Sequence, residues 1–280
     1  MSKLDFQLRV HDFNLDKICK NPTIILNAKR GSGKSICIKH LIYHFGNKLK
    51  YPVGIICSKS EKVAPFYQNF FPDLFIYDDC QTAFNKVLTR QKNIAIKNKK
   101  RKTDGKKLID SRLLLVLDDV ISNAKEWSNS PAMKEIMFNG RHYDITMILA
   151  VQDTVAVPPS ARNNFDYIFL FNNDIENEIE KIYKMYAGIF SKKGDFKEVL
   201  KTVTEDYGIL VIIRRDSISN QLEDKIARFK ANINLIPNMF GSEKFKMIHK
   251  KRYNHKWEEE ELNAIEKFGP SAGNIKFMKY

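Results

Sequence analysis

The sequence predicts an α/β fold, a mostly parallel sheet flanked by helices. Three observations predict it. Seven short runs are apolar on both faces, as strands inside a helix-covered parallel sheet are. Helical patterns separate them, the alternation of a layered α/β domain. The first run also leads straight into a Gly-rich turn and an amphipathic helix, a strand–loop–helix unit.

The elements follow in order. Thr23 to Ala28 (TIILNA) is a β-branched strand run. Behind the turn, Ile38, Leu41, Ile42 and Phe45 fall at i, i+3, i+4 and i+7, one apolar helical face, with Gly46 expected as the C-terminal cap. Val53 to Cys57 and Leu74 to Tyr77 read as the next strands. Arg90 to Lys107 carries nine basic residues and one acid, Asp104, and reads as a solvated loop between sheet elements. Leu113 to Leu117, Ile145 to Val151, Tyr167 to Phe171 and Ile209 to Ile213 complete the strand set. Past Asp216 the strand pattern is expected to stop, leaving helical patches such as Trp257 to Phe268. The expected organisation is thus a domain over 1–215, with a basic loop insertion at 90–107, and a basic, mixed-charge C-terminal extension over 216–280.

Composition narrows the function classes. With 280 residues, 43% of them hydrophobic, the chain can bury one substantial core or two small ones. Its 19 Phe and 11 Tyr exclude a largely disordered chain. The longest apolar run, Leu113 to Leu117, is far short of the ~20 residues of a membrane helix. Met1 to Val10 has no signal-peptide apolar region, so neither span nor export signal is expected. Cys19, Cys37, Cys57 and Cys80 fall singly, the usage of reduced thiols in an intracellular compartment. The balance of 47 Lys+Arg against 33 Asp+Glu, a net +14, points to a polyanionic partner, most often nucleic acid.

The turn after the first strand reads Ala28-Lys29-Arg30-Gly31-Ser32-Gly33-Lys34-Ser35, the phosphate-loop pattern with Ala28 at the first Gly position. Gly31 and Gly33 let backbone N–H groups converge on phosphate oxygens without Cβ interference. The helix N-terminus behind them favours negative charge. In this pattern Lys34 reaches the β- and γ-phosphates of ATP, and the Ser35 hydroxyl ligates Mg²⁺. A second strand ends in Asp118-Asp119, at the sheet edge where α/β proteins bind ligands. Asp118 suits an Mg²⁺ role, and Asp119 suits orienting or deprotonating an attacking water. Gln152, at the end of the next strand, can hydrogen-bond that water or the γ-phosphate. Arg141 and Arg162, on either side of that strand, are the candidate charge-stabilising arginines.

Together AKRGSGKS, LLLVLDD, FNGRHYDITMILAVQD and SARNNFDYIFLF resemble the viral genome-packaging ATPases of the FtsK–HerA P-loop superfamily, found in poxviruses, giant viruses and virophages. The resemblance spans Pro22 to Ile213. It implies a RecA-like core, a homo-oligomeric ring, and ATP-driven translocation of double-stranded DNA into a capsid. It further implies ATP and Mg²⁺ at the site, capsid or portal-vertex proteins as partners, and a place in the host cytoplasm or viral factory and in the virion. By position it makes Lys34 and Ser35 the Walker A pair, Asp118 the Walker B acid and Gln152 the polar sensor. Arg141, with Arg162 as second candidate, would act on a neighbouring subunit's nucleotide. Two positions depart from the pattern: Ala28 replaces Gly, and Asp119 stands where cellular members carry Glu. From the residues alone two other readings stay open, a nucleotide-gated DNA-binding protein with vestigial ATPase and a small-molecule P-loop kinase.

Overall fold

The computed structural model describes residues 8–120, 130–215 and 219–268. Nine strands are described: β1 (His11–Asp12), β2 (Thr23–Asn27), β3 (Val53–Ser58), β4 (Ile76–Tyr77), β5 (Leu113–Asp118), β6 (Ile145–Val151), β7 (Tyr167–Leu170), β8 (Gly208–Ile213) and β9 (Ile226–Lys230). They form one sheet in the order β1-β9-β8-β7-β2-β6-β5-β3-β4. Every pairing is parallel except those of β8 with β7 and β9, so β8 alone runs against the rest. The seven expected strands are all present, and the mostly parallel sheet is borne out. The run Leu74 to Tyr77 shortens to β4 because Asp73–Phe75 closes a 3₁₀ turn first.

The described helices are α1 (Lys34–Tyr43), α2 (Cys80–Thr103), α3 (Pro131–Asn139), α4 (Pro159–Arg162), α5 (Glu176–Tyr186), α6 (Lys193–Val203), α7 (Glu243–Arg252) and α8 (Trp257–Phe268). They divide the core between the two sheet faces. One face packs Ala83, Phe84 and Val87 of α2, Met133 and Ile136 of α3, Ile179 and Ile182 of α5, and Phe196 and Leu200 of α6. The other packs Ile38, Leu41 and Ile42 of α1 with Phe71, Phe240 and Phe245.

Three expectations are corrected. Residues 90–107 are not a loop: helix α2 runs on through Thr103. The Asp79 side chain caps it, and its first half buries Ala83, Phe84, Val87, Leu88 and Gln91. Gln91 is the last buried position, its amide donating to the Ser111 carbonyl at 2.8 Å. The remaining turns project some 18 Å at ~1.5 Å per residue. They need no apolar face, because Lys, Arg and Gln are good helix formers and late positive charge suits the helix dipole. Gly105, at φ +66°, ends the helix in a Schellman turn, with Lys106 N–H donating to Arg101 O at 2.8 Å. The segment beyond folds back along it, where Asn98 exchanges two hydrogen bonds with the backbone of Ile109 at 2.9 and 2.8 Å.

Second, the strand pattern does not stop at Asp216, since β9 inserts between β1 and β8. Its sequence IARFK hides this, because Arg228 and Lys230 are charged yet hold the preceding turn. Arg228 donates to the carbonyls of Val203 and Glu205 at 3.2 and 3.1 Å, and Lys230 pairs with Asp206. Third, Gly46 does not cap α1. It lies inside a wider turn closed by Leu49 N–H to His44 O at 2.9 Å, and its bare backbone lies against the Phe240 ring.

Candidate functional site

The C-terminal ends of β2, β6 and β5, three neighbours in the sheet, meet at one cleft. Strand β2 runs into Ala28, which is buried and donates its N–H to the Val151 carbonyl at 3.1 Å. Ala28 is not among the residues at positive φ, so a methyl group is tolerated there. Gly31 and Gly33, at φ +73° and +90°, occupy the left-handed region that favours glycine. Between them the Ser32 hydroxyl donates to the Lys29 carbonyl at 2.7 Å and tightens the loop. Lys29 itself is turned outward, paired with Asp174 at 2.5 Å. Gly33 stands before the first turn of α1, and Lys34 and Ser35 open the helix at the positive end of its dipole.

From the other side, β5 ends on Asp118, and Asp119 follows at φ +51°, a conformation Asp adopts more readily than most residues. Both carboxylates reach Lys34: Asp118 Oδ1 lies 3.0 Å from Nζ, and Asp119 Oδ2 also pairs with it. The side chains of Lys34 and Asp118 are each 10% exposed. Apart from this ion pairing, Lys34 Nζ and Asp118 Oδ1 are buried with no hydrogen-bond partner among the described residues. Buried charges left with unused hydrogen-bonding capacity are costly, and they suit a site that takes a charged ligand. The Ser35 hydroxyl and the Asp118 carboxylate are hard oxygen donors of the kind that, with phosphate oxygens, hold Mg²⁺. Among the described residues no three His, Cys, Asp or Glu side chains gather as an all-protein metal cage.

Strand β6 lies between β2 and β5, which brings Gln152 between their ends, its amide donating to Asp119 Oδ2 at 2.6 Å. The cleft of about 410 Å³ is lined by Lys29, Arg30, Gly31, Lys34, Asp119 and Gln152, among others. The structure thus brings together the whole of Ala28 to Ser35 with Asp118, Asp119 and Gln152.

The arginines are not brought here. Arg141 lies in a 3₁₀ turn before β6, at the opposite edge of the sheet, about 20 Å away along a seven-residue strand. It is exposed. Its neighbours are Asn21, whose amide donates to the Arg141 carbonyl at 3.3 Å, and Asp166. Burial raises the Asp166 carboxyl above its ordinary range, against the lowering pull of a Thr23 N–H, Arg215 and Arg141. Arg162, half-buried, does not line the cleft either: its Nε donates to the Val157 carbonyl at 2.8 Å, and its own carbonyl accepts from Arg214 at 2.7 Å.

Sequence reasoning missed two residues that shape the site. The buried Tyr67 hydroxyl donates to Asp118 Oδ2 at 2.6 Å. Burial, reinforced by the Asp118 charge, pushes that phenol well above its ordinary pKa, so it remains a donor. Glu61 aims it: one carboxylate oxygen accepts the N–H groups of Phe66 and Gln68, on either side of Tyr67, at 3.0 and 2.9 Å. No short-range pattern signals a contact 51 residues long.

The sequence matches the family described as Poxvirus A32 protein over residues 10–240. An uncharacterized protein of Acanthamoeba polyphaga mimivirus is 38% identical over 244 residues, 87% of this chain and 84% of that protein. Another, from Invertebrate iridescent virus 6, is 30% identical over 240 residues, 84% of this chain and 87% of that protein. Among solved structures, the genome packaging NTPase B204 of Sulfolobus turreted icosahedral virus 2, in complex with sulfate, is similar at a TM-score of 0.56. Its identity is 18%, over 78% of this chain and 100% of that one, a likeness of fold. The P-loop NTPase fold and the resemblance to viral packaging ATPases are borne out, and this chain belongs to the Poxvirus A32 protein family.

Proposed function

We propose that this chain is an ATP-hydrolysing motor that moves double-stranded DNA into a viral capsid. The observation that carries the reading is the convergence of Lys34, Asp118, Asp119 and Gln152 on one glycine loop at the ends of adjacent strands. In this reading the backbone from Ala28 to Ser35 cradles the triphosphate, and Lys34 neutralises its β- and γ-oxygens. Ser35 and Asp118 would hold Mg²⁺, which when bound offsets phosphate charge. Tyr67 fixes the Asp118 carboxylate, leaving one oxygen for the cation. Asp119 orients the attacking water and accepts its proton, while Gln152 holds Asp119 in place and can reach the water or γ-phosphate.

Arg141 cannot serve its own cleft from the far sheet edge, so we assign it to a neighbour's nucleotide in a homo-oligomeric ring. Arg162, tied to the Val157 carbonyl, is the weaker candidate. The exposed, basic half of α2 is our candidate for DNA contact, through phosphates and without base readout, as movement along any sequence requires. Capsid or portal-vertex proteins are the expected docking partners of such a ring.

The test is ATP turnover with and without duplex DNA, with the molar mass of the species measured alongside. Turnover by a ring, raised by DNA, is expected. DNA-independent turnover by a monomer would favour the small-molecule kinase, and tight ATP binding without turnover the nucleotide-gated DNA binder. Replacing Lys97, Lys99, Lys100, Arg101 and Lys102 together by Gln keeps the helix formers and removes the charge. If about four of them engage phosphates, log affinity against log salt should flatten by roughly 3 to 4, at ~0.9 per contact. Turnover without DNA should hold, because these residues lie outside the cleft. An unchanged slope would move the DNA surface elsewhere, first to the basic stretch Lys244 to Lys256.

A further inference from the structure

Beside the phosphate loop stands a residue that the sequence pattern does not mark. Asp206 and Tyr207 are consecutive non-glycine residues at φ +53° and +57°. Such conformations cost on the order of 1 kcal/mol or more each and persist only where the surroundings enforce them. Here they do. Lys230 pairs with Asp206, and Arg228 binds the carbonyls of Val203 and Glu205. Gly208 closes the turn, because a Cβ there would meet the Arg228 side chain at 2.8 Å as well as the Val203 carbonyl.

The result is an aromatic ring that is 74% exposed, on a rigid turn. Its place follows from topology. Strand β8 runs antiparallel to β7, so its first residue lies at the same sheet edge as the phosphate loop. Locally, the Tyr207 ring comes within 4.0 Å of where a Gly33 Cβ would stand. Asp118 and Asp119 approach the loop from the opposite side, since β5 and β8 flank β2 on opposite sides in the sheet. A nucleotide whose γ-phosphate faces those carboxylates extends its base toward β8.

We infer that Tyr207 is the platform on which the base of the bound nucleoside triphosphate stacks. The inference rests on the reading of Ala28 to Ser35 as the triphosphate site. Stacking on one aromatic face selects ring area over hydrogen-bond pattern, so purine triphosphates bind better than pyrimidine ones.

The experiment compares the full-length protein with Tyr207→Ala, Tyr207→Phe and Tyr207→Gly, measuring KM for ATP and CTP and inhibition by inorganic tripolyphosphate. Tyr207→Ala should raise KM for ATP about thirty-fold, the middle of the range for losing one base–aromatic stack. Inhibition by tripolyphosphate, which has no base, should change less than about two-fold, and the ATP-over-CTP preference should collapse. Tyr207→Phe should behave as wild type. Tyr207→Gly removes the ring and the backbone strain together, so it should reproduce the KM defect with no loss of thermal midpoint. Equal weakening of ATP and tripolyphosphate, or an unchanged KM for ATP, would overturn the inference. If tripolyphosphate fails to inhibit the wild-type protein, the phosphate-loop reading itself has failed, a different outcome.

Discussion

Lys34→Ala is expected to cut ATP turnover by on the order of 10²-fold or more, the usual cost of losing one preorganised charge at developing phosphate charge. Lys29 and Arg30 also line the cleft, but Lys29 is turned out to Asp174, and it is Lys34 that the carboxylates hold. Lys34 is the cation that both Asp118 and Asp119 face, Arg141 lies at the other sheet edge, and the Arg162 side chain is tied to the Val157 carbonyl. Without it, two carboxylates confront each other and any incoming phosphate. Steady-state turnover at saturating ATP reads the effect, and retention of more than a few per cent of the rate would sink the phosphate-loop assignment. The same variant tests the cross-subunit arginine. Mixed with Arg141→Ala subunits, it should partly recover activity, because some interfaces then join an intact loop to an intact Arg141. If only mixtures with Arg162→Ala recover, the arginine is Arg162.

Phe240→Ala should destabilise the protein by about 3–5 kcal/mol, the range for deleting a buried aromatic side chain. The Phe240 ring is 1% exposed and stacks on Phe71 with centroids 4.8 Å apart. It lies on two bare stretches of backbone, at Gly46 and at Gly54, where a Cβ would come within 2.8 Å of the ring. Its own N–H donates to the Phe70 carbonyl at 2.9 Å, fastening the chain past β9 to the segment that carries Tyr67. Denaturant unfolding measures the loss. A loss under about 1 kcal/mol would mean that the cavity collapses at little cost and that Phe240 fastens nothing.

The parts of the fold that could be read in the sequence were those in which one physical requirement dominated. Strands β2, β5 and β6 are buried on both faces, so their apolar runs are continuous and their boundaries fall within a residue of expectation. The loop from Ala28 to Ser35 is legible because steric and electrostatic demands confine it to few residue types. Helix α2 past Gln91 is obscured because a dense charge run with almost no apolar face suggests a solvated loop, while its Lys, Arg and Gln residues favour helix. Strand β9 was obscured because two of its five residues are charged and hold a turn 20-odd positions earlier. Tyr67, Glu61 and Tyr207 act through tertiary placement alone, which periodicity does not encode.

The phosphate loop at one end of the sheet and Arg141 at the other give the molecule a head and a tail. On the proposed reading, each nucleotide site is completed by pressing one molecule's tail onto the next one's head, a heterologous contact. An open row of n molecules then always keeps one incomplete site, whereas closing the row gives n complete sites from n chains. Closure itself, rather than added length, supplies the last working site, and a pair joined head to head or tail to tail would have none.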